Sequence, residues 1–273
     1  YFGMEGRTIS FAAGPDDFNF LGIPFFNPDA DAEDALDLTI PNERRGLAGV
    51  NITGDVKNWE VLARRLAESG SNYRIDYLYG YRNFAMDETL RLNASTLVTD
   101  PAAGILGTLI ELNDQFDVEN QFHGIDFGIT GHSHQGCWSL DFLLKVALGV
   151  MEHEVDVNGG QLISIPGLDP TRNIGGLFSQ ESNIGKTDET DFAVIPEFNV
   201  NLGYGITSNI DLTVGYTFIY VSSVQRAGTV IDRVVDPGYI VDIEPINSNR
   251  PLLNIDDTGY FLHGLNLGLT ARF

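Results

Sequence analysis

The stretch WSLDFLLKVALGV, residues 138–150, alternates without a break. Trp138, Leu140, Phe142, Leu144, Val146, Leu148 and Val150 share one parity. Ser139, Asp141, Leu143, Lys145, Ala147 and Gly149 share the other. A helix would scatter these side chains around its circumference, whereas a strand sorts them onto two faces. One face is wholly apolar and the other is small, polar and charged. That division suits a strand with lipid outside and a narrow lumen inside. It also suits a soluble sandwich, which buries its apolar face and wets the other.

The neighbouring sequence decides between the two. Similar runs lie at about 1–12, 46–68, 71–95, 114–134, 190–206, 209–225 and 257–273. FAVIPEFNVNLGYGI (192–206), NIDLTVGYTFIY (209–220) and YRIDYLYGYR (73–82) carry long apolar or aromatic sets at period two. The links alternate in length. ESGSN (68–72), HQGC (134–137) and TSN (207–209) are tight, while 13–45, 96–113, 158–189 and 226–256 are long. Long structureless links argue against a compact soluble domain. Alternating short and long links match an outer-membrane barrel with short periplasmic turns and long extracellular loops. The reading is therefore all-β: an antiparallel up-and-down transmembrane barrel of about eight strands, in a single domain over 1–273. Counting strands back from Phe273 places both chain ends on the short-turn side.

Composition agrees. Glycine is frequent at 30 residues, and Tyr and Phe number 10 and 17. The one cysteine, Cys137, excludes an internal disulfide and a cysteine-rich metal site. The net charge of −22 opposes nucleic-acid binding, so none is expected. A mean hydropathy of −0.04 is uninformative for a barrel, because the two faces average out.

The inward parity carries charges of both signs: Glu60, Arg64, Arg74, Asp76, Arg82, Asp126, Asp141, Lys145, Glu197 and Arg272. An interior of about eight strands is just wide enough for side chains to fill. These groups are therefore read as a lumen salt-bridge network, with a selectivity lining as the alternative. Inward glycines such as Gly124, Gly128 and Gly149 suit a narrow lumen. The first long link contains NPDADAEDALD, whose Asp29, Asp31, Glu33, Asp34 and Asp37 offer hard oxygen donors for Ca²⁺. No other cofactor is expected. HSH (132–134) puts two imidazoles on one strand face with no carboxylate adjacent in sequence, a weak metal pair. No serine-hydrolase elbow, phosphate loop or HExxH is present, so no catalytic residue is assigned. Asp87, Glu88, Asp117, Glu119 and His153 are the rim groups an outer-membrane hydrolase would draw on.

YRIDYLYGYRNFAMDE (73–88), NQFHGIDFG (120–128), WSLDFLLKVALG (138–149), FAVIPEFNVNLGYGIT (192–207) and GYTFIYVSSVQRAGTVIDRVVDP (215–237) together resemble the beta-barrel porin-seven family. That family consists of outer-membrane barrels found mainly in planctomycete bacteria, and IPFFN (23–27) fits it too. The resemblance implies a bacterial outer-membrane location. It also implies a full member of about ten strands, with strand-forming sequence ahead of Tyr1. It brings no catalytic residues and no substrate. It further implies that HGLNLGLTARF (263–273), ending on Phe273, is the strand that barrel-assembly machinery recognises, closing the barrel against the first strand.

The function expected is a structural or display scaffold with acidic extracellular loops, non-enzymatic, enclosing a narrow pore at most. Its partners would be outer-membrane lipid, the assembly machinery, and neighbouring copies or surface polysaccharide. A diffusion porin and a rim hydrolase are the alternatives.

Overall fold

A computed structural model describes residues 2–239 and 249–271. The eight alternating runs are all strands: β1 (Phe2–Ala13), β4 (Arg44–Ser69), β5 (Tyr73–Val98), β6 (Leu109–Gln135), β7 (Trp138–Ser164), β9 (Gly185–Thr207), β10 (Ile210–Val224) and β11 (Thr258–Ala271). They form one antiparallel sheet in the order β1-β4-β5-β6-β7-β9-β10-β11, curled into a half-barrel. Tight turns at 70–72, 136–137 and 208–209 join strands at one end, and long connections lie at the other. No helix among the described residues is long and apolar enough to cross a membrane, which says nothing of strands that do so.

Three expectations change. The first is closure: among the described residues β1 pairs with β4 and β11 with β10, and no ladder joins β1 to β11. Tyr1, Arg272 and Phe273 lie outside the described residues. Secondly, β1 does not start at the turn end. Its Phe2 pairs with Asn58, about midway along the 26-residue β4, so β1 covers only the upper part of its neighbour. Thirdly, the long connections are not structureless. The first folds into a hairpin of β2 (Leu21–Asn27) and β3 (Ala32–Thr39), and the third adds β8 (Thr171–Ile174) to β7.

The strands also run further than their patterns first indicate, because the pattern inverts partway up. In the lower half the outward side chains are apolar: Tyr77, Tyr79, Ile125, Phe127, Leu144, Leu148 and Phe192 are all exposed. Above Tyr81, His123 and Val150 the outward positions turn polar. Asp55, Asp87, Glu119, Glu154 and Asp188 stand opposite one another across five strands and form an acidic row. At the same height the inward positions become apolar, with Phe84, Met86, Leu90, Phe116, Val118, Val155 and Val157 buried. Each long strand is a lipid-facing strand below and a water-facing strand above.

The apolar belt from Trp138 to Val150 covers about 40 Å of strand, or about 30 Å along the membrane normal at a tilt of about 40°. That matches a bilayer core. The upper half rises about 35 Å further by the same arithmetic. An arginine at belt centre should cost far more than one above it. Leu144→Arg is expected to lose about 2–4 kcal/mol of folding stability, and Gln115→Arg no more than about 0.5 kcal/mol. Denaturant titration of the two variants in phospholipid vesicles measures both. Equal losses would remove the membrane boundary drawn here.

Candidate functional site

The interior is layered. Next to the tight turns, Asp76 is fully buried and receives the guanidinium groups of Arg64 and Arg74, each with an Nε–Oδ2 distance of 2.8 Å. His132 lies 2.6 Å from Asp141 on the next strand. The carboxylate that the sequence around HSH lacks is thus supplied across the ladder. His134 sits at the turn-end mouth with Cys137, Asp211 and Thr213.

Above this mouth lies the main charge centre. Lys145 contacts Glu60, and its Nζ is 3.4 Å from Asp126 and 3.3 Å from Glu197. Arg82 donates from Nη2 to Glu197 at 2.6 Å and from Nε to Asn58 Oδ1 at 2.8 Å, with Asp126 at 3.9 Å. Both cations are 1 % exposed. Local sequence makes room for them. Arg82 stands opposite Gly124, which stands opposite Gly149, so a long side chain can lie across the wall. A Cβ on Gly149 would approach the His123 carbonyl oxygen to 2.1 Å. Charges taken from water persist only when paired in this way. Nine of the ten predicted network residues therefore fall in three interior groups, and Arg272 lies outside the described residues.

An apolar layer of Phe84, Phe122, Ala147, Met151, Ile195 and Val221 covers the charge centre. Above it His153 and Asn120 are buried. Higher still, three long connections fold into the mouth and share one core with the wall. Phe25 comes from β2, Leu177 and Phe178 from the third connection, and Ala227, Val230 and Val235 from the last.

Polar clamps hold these segments. Asp114 on β6 accepts hydrogen bonds from the backbone N–H groups of Leu177, Phe178 and Ser179 at 3.1, 3.1 and 2.8 Å, and from the Ser179 hydroxyl at 2.5 Å. Burial pushes the Asp114 carboxyl above the usual carboxylate range, against the pull of those four donors. Glu88 receives Arg226 at 2.7 Å, and the Arg226 guanidinium also lies 5.7 Å above the Tyr260 ring. Phe26 bridges to Val234, and Arg233 pairs with Glu33 at 3.0 Å.

The rim residues read from sequence are separated by the wall. Glu88 and His153 point inward and are buried, whereas Asp87, Asp117 and Glu119 lie on outward positions. Burial and the neighbouring Asp55 carboxylate raise Asp87, while Lys57 opposes them. The acidic hairpin residues are spread out as well. Asp34 accepts from Asn27, Glu33 meets Arg233, and no three carboxylates of Asp29, Asp31, Glu33, Asp34 and Asp37 converge among the described residues. The clamps at Asp114 and Glu88 were not anticipated. Their only sequence signal is a carboxylate at an inward position of an otherwise apolar stretch.

The family model described as "Putative beta barrel porin-7 (BBP7)" matches residues 1–273. No curated protein and no solved structure matches the chain. With an outward apolar belt, an inward charge network and a family match over its whole length, the chain belongs to the beta barrel porin-7 family of outer-membrane barrels.

Proposed function

We propose that the protein is a bacterial envelope scaffold. In this reading a lipid-anchored barrel carries a water-exposed tower, and its lumen is closed by its own side chains and connections. The observation that carries the reading is the stacking of filled layers. Arg82, Phe84, Phe122, Lys145 and Met151 are all almost fully buried, directly beneath a plug of three connections. A diffusion porin needs a continuous wet path, and a filled stack of this kind supports the closed reading over it. Display would fall to the tower. Its outward acidic rows and hairpin offer sites for divalent cations such as Ca²⁺, for surface polysaccharide or for neighbouring copies. The final strand would be the part presented to assembly machinery.

Planar-bilayer recording from purified protein tests this directly. The expected record has no stepwise conductance at neutral pH. Discrete cation-selective steps that change with Lys145→Met would overturn closure and restore the diffusion-porin alternative. A hydrolase reading has less support. Ser223 is 4 % exposed, and its hydroxyl is already given to Asp257 at 2.7 Å.

A further inference from the structure

His153 marks a place where lone pairs converge without enough hydrogens to separate them. Asn120 fixes the ring. Its Oδ1 accepts the Gln225 backbone N–H at 2.7 Å, and its Nδ2 donates to the carbonyl oxygens of Met86 and Gln225 at 3.0 Å each. The amide can therefore point only one way, so His153 Nδ1, 2.8 Å from Oδ1, must be the N–H. Nε2 is left facing Asp191 Oδ2 at 3.7 Å and Asp257 Oδ1 at 3.6 Å. Ser223 Oγ is 3.3 Å away, but its one hydrogen is engaged by Asp257 Oδ2. A nitrogen and two carboxylates thus surround one point, with all ligand atoms within 4.8 Å of one another. Gln225 fixes one of these carboxylates: its Nε2 donates to Asp257 Oδ1 at 2.8 Å, and among the described residues its own Oε1 is buried without a partner.

We propose that His153, Asp191 and Asp257 bind a divalent first-row transition ion, for which Zn²⁺ is the probe. The two carboxylates and the imidazole lone pair would attract a cation, and the spacing suits a metal ion better than a shared proton. Contacts of 3.6–3.7 Å are too long for charge-assisted hydrogen bonds. They are close to the edge of a coordination tetrahedron, about 3.4 Å for ligands about 2.1 Å from the ion. One imidazole with two carboxylates favours zinc-like ions over Ca²⁺ or Mg²⁺, which prefer all-oxygen shells. Asn120 supplies the outer hydrogen bond that orients a metal-ligating imidazole. Three protein ligands leave a fourth position open, beside Ser223. The ion would tie β7, β9 and the residue preceding β11 together just above the membrane belt, fastening the last long connection to the wall.

Isothermal titration of EDTA-treated full-length protein in detergent micelles with Zn²⁺ tests the site, alongside the absorption spectrum with Co²⁺. The expected result is one equivalent bound at micromolar Kd or tighter and a four-coordinate Co²⁺ spectrum. Asp191→Asn and His153→Ala should each weaken binding at least about 10-fold. Asp191 is partly exposed, so its variant stays informative if His153→Ala fails to fold. No stoichiometric Zn²⁺ binding, binding unchanged in Asp191→Asn, or preferential binding of Ca²⁺ would each overturn the proposal. A conductance trace does not bear on it, so this test and the test of closure fail separately.

Discussion

Asp114→Ala should free the segment 175–184 from the barrel mouth. The substitution strips four donors of their acceptor, three of them buried backbone N–H groups. At about 1–3 kcal/mol for each unsatisfied buried group, docking should weaken by about 3 kcal/mol or more. Leu177 and Phe178 would then exchange with water, and limited proteolysis should cut between β8 and β9 at least about 10-fold faster than in the native protein. The wall should persist, because among the described residues no ladder of the main sheet involves those residues. Equal cleavage rates would show that Asp114 does not hold the plug. A pH dependence follows from the same carboxyl. Its pKa is raised in the docked state, so its contribution is complete below the ordinary carboxylate range and is lost as pH rises through the raised value. Native docking should be firmer near about pH 4 than near about pH 8, and Asp114→Ala should lose that part of the difference.

Lys145→Met should cost about 3–5 kcal/mol of folding free energy. Glu60, Asp126 and Glu197 would then share Arg82 as their only nearby cation among the described residues, inside a wall that faces lipid. Breaking one side of a buried ion cluster leaves charge without compensation. That loss is larger than the net worth of the intact cluster. Adding Glu60→Gln to Lys145→Met should recover a substantial part of it. Denaturant titration in vesicles, followed through Trp59 and Trp138 on the outer face, measures both variants. A loss under about 1 kcal/mol for Lys145→Met would mean that the centre is hydrated and the lumen open at this level.

Much of the wall was legible in the sequence. Period-two alternation located all eight strands of the main sheet and their turn ends, while the upper ends of β6, β7 and β9 run about five to seven residues beyond the pattern. The inward parity of Arg82, Lys145, Asp126 and Glu197 could be read from the same alternation. Their pairing could not, since it depends on which residues of distant strands share a height. The inversion was missed because it hides inside a continuous pattern. Tyr81 faces out and Phe84 faces in, three positions apart, so the run of aromatic residues continues across the change of parity. In sequence His153 reads only as a rim group alongside Asp87, Glu88, Asp117 and Glu119. Its partners Asp191 and Asp257 come from β9 and from the end of the last long connection. The plug could not be foreseen from connections that carry no alternation at all.

The inverted strands set a condition on biogenesis. A hairpin that entered the bilayer with its long connection leading would have to drag two of the row's carboxylates through hydrocarbon before its own apolar belt arrived, Asp87 and Glu119 on β5–β6 or Glu154 and Asp188 on β7–β9. At about 2.5–3.5 kcal/mol for each charge at mid-bilayer, each such pair raises a barrier of about 5 kcal/mol or more. Unassisted insertion into vesicles should therefore be slow, and quickened at low pH where the carboxylates are neutral. A hydrated passage that opens sideways would remove that barrier, because the leading ends would cross in water and only the trailing ends would meet lipid.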